Sequence, residues 1–324
     1  MSGLRFMKSN ECSSANNSHG IPLLVLGSPT ATGKTSLALE LAQCLEAEVV
    51  NADSLQVYRY LDIGTAKPTR AERERVRHHL LDVVDPDEEY NAALYCEQAR
   101  TMIGELAGEG RRVLVVGGTG LYIRALLQGI IETPPVDEQI RNYYRDIRDR
   151  LGKHHLYGLL EKRDPQAAGR INPNDAVRVI RALEVLDQSG QSILELQQKH
   201  RFADCPYAVF KIGLRVERNE LKKRIRQRTE QMMEAGLLDE VRGLLDRGYS
   251  ETLKPLQSLG YKQMISFIRK RCGLDEAKDS ISRETWQYAK RQMTWFGADR
   301  AVTWFGPGET RKIEEKAREF LAQY

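Results

Sequence analysis

The feature that most constrains this chain is an apolar run that leads directly into a glycine- and threonine-rich loop. Residues 21–26 (Ile-Pro-Leu-Leu-Val-Leu) have the length and composition of a buried strand. After the loop, Leu37, Leu41 and Leu45 recur at helical spacing. The segment from Ser28 to Thr35 therefore joins a strand to a helix, which is the context of a phosphate-binding loop.

In such a loop the backbone N–H groups and the N-terminus of the following helix point at the phosphates. Lys34 would add a positive charge, and the hydroxyl of Thr35 is placed to bind Mg²⁺. Ser28 stands where the usual motif has its first glycine, whereas Gly33, Lys34 and Thr35 keep the second half intact. The predicted phosphate-binding residues form one continuous run: Ser28, Pro29, Thr30, Ala31, Thr32, Gly33, Lys34 and Thr35.

Further strands alternate with helical segments along the chain. Strand-like runs occur at 48–51, at 112–116 before Gly117 and Gly118, and at 209–216. This alternation predicts an α/β fold, a P-loop NTPase-like parallel sheet flanked by helices. From residue 217 to the end of the chain we expect only helices.

The composition of the sequence changes near Thr133, where Pro134 and Pro135 end the preceding pattern of strands and helices. Residues 134–205 are polar and helix-forming, without a convincing strand, which predicts a mostly helical insert. The catalytic core would then comprise residues 21–133 and 206–324. Residues 1–20 are rich in Ser and Asn and are predicted to be a disordered tail.

Composition excludes several classes of protein. The chain has 324 residues and a net charge of +4, which does not by itself imply nucleic acid. Its five cysteines are scattered and form no CxxC pair, so neither a disulfide framework nor a zinc site is indicated, and we expect a cytoplasmic location. The sequence contains no stretch of 18 apolar residues, so we expect no membrane span. Without a coiled coil or an obvious apolar patch, we expect a monomer.

A phosphate loop does not name a reaction. Proteins that hydrolyse nucleotides place an Asp after an apolar strand to support Mg²⁺, but the strand at 112–116 ends in glycines, and residues 80–85 offer only a weaker Asp. Asp53 leaves the strand at 48–51, and in open α/β sheets ligands lie beyond the carboxyl ends of the strands. Asp53 is therefore a candidate site residue, and a helix cap is its plain alternative.

The run from Asp53 to Pro68 resembles a signature of the tRNA dimethylallyltransferase family, and the similar segments keep family order from about residue 22 to 305. The further segments are the phosphate loop, His78-His79-Leu80 with Asp82, Gly117 to Tyr122, Asn172 to Asp175 with Arg178 and Arg181 to Glu184, Tyr288 to Gln292 with Thr294-Trp295, and, more weakly, Gly260-Tyr261-Lys262. Arg77 departs from the family's usual proline. Because no Cys/His set follows Cys272, the chain resembles the compact bacterial form.

The resemblance implies transfer of a dimethylallyl group from dimethylallyl diphosphate to the exocyclic N6 amine of the adenine at tRNA position 37. It implies Mg²⁺ as cofactor, nucleotide or ATP binding at the loop, and no DNA partner. Asp53 would be the base and Lys34 a catalytic cation. Thr119 would lie near the reacting centre, and Arg224 would help to hold diphosphate. A strand-end turn residue and a solvated helix charge are the plain alternatives for Thr119 and Arg224.

The resemblance also implies that the helical insert at 134–205 binds tRNA, and it implies three tRNA-contacting segments. Their residues are Asp53, Ser54, Leu55 and Gln56; Val177, Arg178, Val179, Ile180 and Arg181; and Gly260, Tyr261 and Lys262. A basic cluster between Arg215 and Arg228 either contacts RNA or forms a salt-bridged helix, since Glu217, Glu220 and Glu230 are interspersed.

Three other functions stay open at this point. The first is prenylation of free adenine nucleotides, for which the helical insert would be unnecessary. The second is a P-loop small-molecule kinase, which would need a clearer Mg²⁺-binding Asp. The third is a non-catalytic RNA-binding module, against which the intact Gly33-Lys34-Thr35 and Asp53 argue.

Overall fold

The computed structural model describes residues 20–131, 133–200 and 205–324. The predicted disordered tail lies outside the described residues except for Gly20. The chain divides into two compact units, one formed by residues up to Leu127 with Pro206–Tyr324, and the other by Gln128–Cys205. The assignment of 134–205 to a tRNA-binding insert stays a prediction.

The first unit is built on a sheet of six strands. The strands are β1 (Ile21–Gly27), β2 (Ala47–Asn51), β3 (His78–His79), β4 (Arg112–Gly117), β5 (Tyr207–Leu214) and β6 (Val302–Phe305). They lie in the order β3-β2-β4-β1-β5-β6, and each pair is parallel. The carboxyl ends of β1, β2 and β4 therefore meet at one edge, which brings the loops after these strands together.

Helices flank the sheet of the first unit, as the α/β pattern predicted, and further helices form the second unit. The helices are α1 (Lys34–Leu45), α2 (Arg70–Arg75), α3 (Ala92–Gly108), α4 (Gly120–Gln128), α5 (Glu138–Arg163), α6 (Pro165–Ala168), α7 (Ala176–Ser189), α8 (Ile193–His200), α9 (Arg218–Glu234), α10 (Leu237–Asp246), α11 (Tyr261–Ile268), α12 (Leu274–Gly297) and α13 (Thr310–Leu321). On one face Leu41 of α1 and Ile313 of α13 pack with Leu26 and Leu114 of the strands. Each such side chain contributes about 1.5–3 kcal/mol by leaving water.

Two strands were missed by the sequence analysis. The expectation of helices alone after residue 217 is wrong, because β6 pairs with β5 at the sheet edge. Gly213 lies opposite Trp304, and a Cβ at Gly213 would come within 2.8 Å of that indole. The edge strand β3 has only two residues, of which His79 contacts Glu48 through Nε2 at 2.6 Å. Such short strands depend on their partner rather than on a local pattern.

The second unit is helical in its described part, with α5 to α8 around a core that contains Leu156, Leu160, Val179 and Leu183. The carboxylate of Glu184 is fully buried there and pairs with Arg141 at 3.0 Å and Arg181 at 3.1 Å. These pairs compensate the cost of burying the charge. No helix in the described ranges of either unit is long and apolar enough to cross a membrane.

Candidate functional site

The phosphate loop, which connects β1 to α1, is held in shape by hydrogen bonds between its own residues. The hydroxyl of Thr32 donates to the carbonyl of Pro29 at 2.9 Å, so the Ser28 hydroxyl donates to Thr32 Oγ1, also at 2.9 Å. Ala31 and Gly33 have positive φ angles of 61° and 97°, whereas Ser28 does not. The absence of the usual first glycine therefore causes no backbone strain, and the Ser28–Thr32 bond fixes the start of the loop.

Lys34 folds back over the loop that precedes it. Its ammonium donates to the carbonyls of Ser28 at 2.7 Å and Pro29 at 2.8 Å. Burial lowers the pKa of Lys34 to about 7; nearby Asp53 raises it and Arg228 lowers it further. A lysine with this pKa gains or loses its proton near neutral pH, and an added anion would favour the charged form.

Asp53 lies beyond β2, where the chain approaches the end of β4 closely. The N–H of Ala52 donates to the carbonyl of Val116 at 2.7 Å. A Cβ at Gly117 would lie 2.0 Å from the carbonyl oxygen of Ala52, so only glycine fits there. Asp53 Oδ1 accepts the N–H of Leu55 at 2.9 Å within a turn. Asp53 thus begins a turn rather than capping a helix, and it lies just beyond the carboxyl end of β2.

One cavity of about 50 Å³ joins these loops. Lys34 and Thr35 line it from the phosphate loop, and Asp53 and Gln56 line it from the segment after β2. Gly118 lines it from the end of β4. The structure therefore brings together the cation, the hydroxyl and the carboxylate that the sequence analysis singled out separately.

Thr119 joins the ends of β2 and β4. Its hydroxyl accepts the N–H of Ser54 at 3.0 Å and donates to Ser54 Oγ at 3.2 Å. The hydroxyl of Tyr288 interacts with the side chains of Thr119 and Gln292. Burial and the nearby charge of Asp53 raise the pKa of Tyr288, so it stays neutral and can donate. Thr119 is thus part of a polar network beside Asp53, rather than only a turn residue.

Gln292 connects the two loops that face the cavity. Its Oε1 accepts the N–H of Thr30 at 2.9 Å, and its Nε2 donates to the carbonyl of Gly118 at 2.8 Å. The side chain is only 6% exposed. The sequence analysis placed Gln292 in a family-like segment without giving it a role, because its partners lie 262 and 174 residues away.

The structure distinguishes Arg224, which the resemblance assigned to diphosphate, from Arg228 on the same helix α9. Arg224, the residue predicted to hold diphosphate, pairs with Glu220 at 2.8 Å. Arg228, one turn later, is coupled electrostatically to both Lys34 and Asp53. Burial lowers the pKa of Arg228, and Asp53 opposes that effect. Arg228 therefore lies close enough to Lys34 and Asp53 to act on their charges, and its one-turn spacing from Arg224 was the available signal.

The segment after Asp53 is held by its own side chains. Gln56 Nε2 donates to the carbonyls of Thr65 and Ala66, each at 3.2 Å. Lys67, whose side chain is fully buried, donates to the carbonyl of Tyr58 and pairs with Asp62 and Asp82, each at 2.7 Å. Because Asp82 pairs with Lys67, it does not take the Mg²⁺-binding role that was considered for residues 80–85.

Glu240 of α10 anchors the same segment. Its carboxylate accepts the consecutive N–H groups of Asp62 at 3.0 Å, Ile63 at 2.7 Å and Gly64 at 3.1 Å. It also accepts the hydroxyl of Tyr261 at 2.7 Å. Tyr261 is fully buried, and a Cβ at Gly64 would lie 2.5 Å from its ring.

The remaining predicted tRNA-contacting residues differ in exposure. In α7, Val177 is 76% exposed and Arg178 lies on the surface beside Asp175, whereas Val179 and Ile180 are buried. Arg181 donates to Thr133 Oγ1 at 2.7 Å and pairs with Glu184. At the start of α11, Gly260 has a φ of 93°, and Lys262 pairs with Glu284 at 2.5 Å. The buried side chains hold these helices in place, which leaves the exposed ones to form any surface contact.

Comparison with known proteins agrees with this geometry. The family model described as "IPP transferase" matches residues 56–299. The tRNA dimethylallyltransferase 2 of Syntrophus aciditrophicus is 54% identical over 299 residues, which cover 92% of this chain and 96% of that protein. The crystal structure of the full-length tRNA isopentenylpyrophosphate transferase from Bacillus halodurans is 38% identical, with a TM-score of 0.68, over 93% of this chain and 97% of that one.

A second crystal structure, the tRNA Δ(2)-isopentenylpyrophosphate transferase of Staphylococcus epidermidis, is 30% identical with a TM-score of 0.67, and covers 94% of this chain and all of that one. The match thus extends over the sheet, the phosphate loop and the second unit. The chain belongs to the IPP transferase family, whose members are prenyl transferases that modify tRNA.

Proposed function

We propose that this enzyme transfers the dimethylallyl group of dimethylallyl diphosphate to the N6 amine of adenine 37, next to the tRNA anticodon, and releases diphosphate. The observation that carries the proposal is the cavity lined by Lys34, Thr35 and Asp53. Such a cavity combines groups that hold a diphosphate with a carboxylate that can accept a proton. Both are needed in this reaction, because one bond to oxygen breaks while one bond to nitrogen forms.

The diphosphate half of the site consists of the phosphate loop, Lys34 and Arg228. As the allylic C–O bond breaks, negative charge develops on the leaving diphosphate. Loop N–H groups at the start of α1, with the two side chains, stabilise that charge in the transition state. Thr35 offers a hydroxyl on this cavity, which suits Mg²⁺ because that ion binds few protein oxygens besides phosphates and water. When bound, Mg²⁺ would neutralise further charge on diphosphate.

The nucleophile half of the site is Asp53 with the network around Thr119. An adenine N6 amine attacks poorly because its lone pair is delocalised into the ring. Asp53 accepts the N6 proton as the new C–N bond forms, and so acts as general base. The bonds from Leu55 N–H to Asp53, and from Ser54 N–H to Thr119, fix the direction of these side chains.

For adenine to reach this cavity it must leave the stack of the anticodon loop, as bases do in other enzymes that modify them. Unpaired loop bases can be extruded and read at their edges. The segment from Asp53 to Gln56 lines the cavity through its two end residues, and the exposed Val177 and Arg178 offer surface contacts on the second unit. We assign these residues to tRNA binding and Tyr261 to support of the segment.

Purified protein with unmodified tRNA, dimethylallyl diphosphate and Mg²⁺ tests the proposal. Mass spectrometry should find a dimethylallyl adduct on adenosine 37, with release of diphosphate. A parallel sample holds AMP in place of tRNA, and another measures ATP turnover. Adduct on AMP but not tRNA would move the function to nucleotide prenylation, and ATP turnover without adduct would indicate a small-molecule kinase.

We also propose that the enzyme acts in the cytoplasm, since its scattered cysteines suit a reducing compartment. We further propose that it is a monomer. Light scattering coupled to gel filtration should give the 36.9 kDa mass of one chain. A mass of twice that value would contradict the monomer.

Arg228 and Arg224 form a matched pair for mutation. We expect Arg228→Gln to raise the KM for dimethylallyl diphosphate and to lower kcat/KM by about 10²-fold, a typical loss for one charge-stabilising donor. Arg224→Gln removes an arginine of the same helix that is already paired with Glu220, and should cost less than about threefold. Equal effects of the two substitutions would remove Arg228 from the diphosphate site.

Glu240 gives a separate prediction about the segment after β2. In Glu240→Gln the amide NH₂ replaces one oxygen that accepts backbone N–H or Tyr261 hydroxyl donors, so at least one of the four bonds is lost. We expect the KM for tRNA to rise about tenfold, with little change in the KM for dimethylallyl diphosphate. Steady-state kinetics with each substrate varied in turn measures this difference, and Glu276→Gln, which changes an exposed carboxylate at the start of α12, is the control.

A further inference from the structure

A cluster of cations surrounds one indole ring on the surface of the first unit. Arg218 and Lys222 of α9 and Lys290 of α12 all lie over the ring of Trp286, at 5.5, 5.3 and 5.9 Å from its centre. Arg218 and Lys222 are exposed and Lys290 is half-buried. We call these four residues the Trp286 patch.

The three carboxylates interspersed in this basic sequence, Glu217, Glu220 and Glu230, do not neutralise the patch. Glu217 accepts the N–H groups of Asn219 and Glu220 and so caps the helix, whereas Glu220 pairs with Arg224. Glu230 pairs with Lys278, at 2.6 Å between Oε2 and Nζ. Among the described residues, the three cations of the patch have no ion pair within 4.0 Å. The salt-bridged helix considered for this sequence thus holds for Arg224 but not for the patch.

Three like charges on one ring repel each other, and each exposed cation–π contact returns only about 0.5–1 kcal/mol. The arrangement contributes little to folding that a neutral side chain could not supply. Its clear physical effect is a local positive potential that attracts polyanions.

The patch is fixed beside the phosphate loop. Trp286 packs against a buried cluster of Val216, Leu221, Ile225 and Ala289. Ala31, within the phosphate loop, packs against the same cluster. The patch is therefore held on a rigid support at the flank of the site in which the reacting base is bound.

We propose that the Trp286 patch binds the phosphodiester backbone of the tRNA close to the reacting adenosine. This inference rests on the proposed function, since it places the same substrate on a second surface. Lys and Arg contacts to phosphates fix the position of a nucleic acid without reading its sequence. Charge complementarity favours RNA over other occupants, because a nucleic acid presents phosphates in a row to match several cations, and bound counterions are released on contact.

The test compares tRNA affinity over a KCl series for the wild-type enzyme and for Arg218→Gln/Lys222→Gln/Lys290→Gln. Each phosphate contact contributes about 0.7–0.9 to the slope of log K against log salt. We expect the triple variant to reduce the slope by about 2 and to weaken tRNA binding at least tenfold at low salt. Affinity for dimethylallyl diphosphate should stay within about twofold.

A control removes the same number of cations elsewhere, as Arg300→Gln/Arg311→Gln/Lys316→Gln, all exposed. If the patch variant keeps the slope and affinity of this control, the proposal is overturned. A parallel loss of diphosphate affinity would also overturn it, because the patch would then act through the phosphate loop. Lys222→Gln alone, on an exposed side chain, should lower the slope by about one unit even if the triple variant folds poorly. Failure of the wild-type enzyme to bind tRNA would instead contradict the proposed function itself.

Discussion

Replacement of Asp53 by asparagine is expected to lower kcat for prenyl transfer by about 10²- to 10⁴-fold, the usual range for loss of a general base. Asparagine keeps the acceptor for the Leu55 N–H, so the turn after β2 should persist. What it loses is the ability to take the N6 proton as the C–N bond forms. Single-turnover formation of dimethylallyl-adenosine, measured with both substrates saturating, isolates this step.

The matched control for this prediction is Asp87→Asn, which removes an exposed carboxylate of the same unit. It should leave kcat within about twofold. A variant at Asp53 that retained most of its single-turnover rate, with only a raised KM for tRNA, would make Asp53 an orienting residue rather than the base.

Replacement of Lys34 by alanine should lower kcat/KM by about 10²- to 10³-fold, because charge on the leaving diphosphate loses the cation of the phosphate loop. The pH dependence of diphosphate binding follows from the same residue. With a pKa of about 7, the Lys34 ammonium is lost as pH rises, so inhibition by diphosphate should weaken between pH 6 and 9. Lys34→Arg, which stays charged, should flatten this profile.

Stability carries the opposite sign for Lys34. The unfolded chain keeps this lysine protonated up to about pH 10.5, whereas the folded protein releases the proton near pH 7. Between these values the unfolded state binds more protons, so the free energy of unfolding rises with pH for this group. Thermal unfolding of the wild type and of Lys34→Met, followed from pH 6.5 to 9.5, should show the smaller rise in the variant. An identical pH dependence in both proteins would contradict the low pKa.

The sequence predicted the parts of the site that follow one another along the chain. The phosphate loop and Asp53 could be placed because each comes directly after a buried apolar strand, and parallel strands end at a common edge. The resemblance pointed to Arg224 as the arginine that holds diphosphate, and nothing local in the sequence singled out Arg228, which lies one turn later on the same stripe of α9. The choice depends on Glu220, which pairs with the first, and on Asp53, which lies beside the second.

Contacts between segments that are distant along the chain could not be predicted from the sequence. Glu240 binds three N–H groups that lie 176 to 178 residues earlier, and nothing local in α10 indicates that use of a carboxylate. For the same reason Tyr261 was predicted to contact tRNA, although its ring is fully buried against Gly64. Whether its backbone neighbours contact RNA stays a prediction.

The single amide of Gln292 has a consequence for motion in the site. Because one end holds Thr30 in the phosphate loop and the other holds Gly118 beyond β4, neither loop can shift without stretching a bond to the same rigid side chain. The two walls of the cavity are therefore mechanically linked through α12. A displacement of the phosphate loop on the entry of diphosphate would be transmitted to the residues beside Thr119, so that the binding of one substrate adjusts the place where the other one reacts.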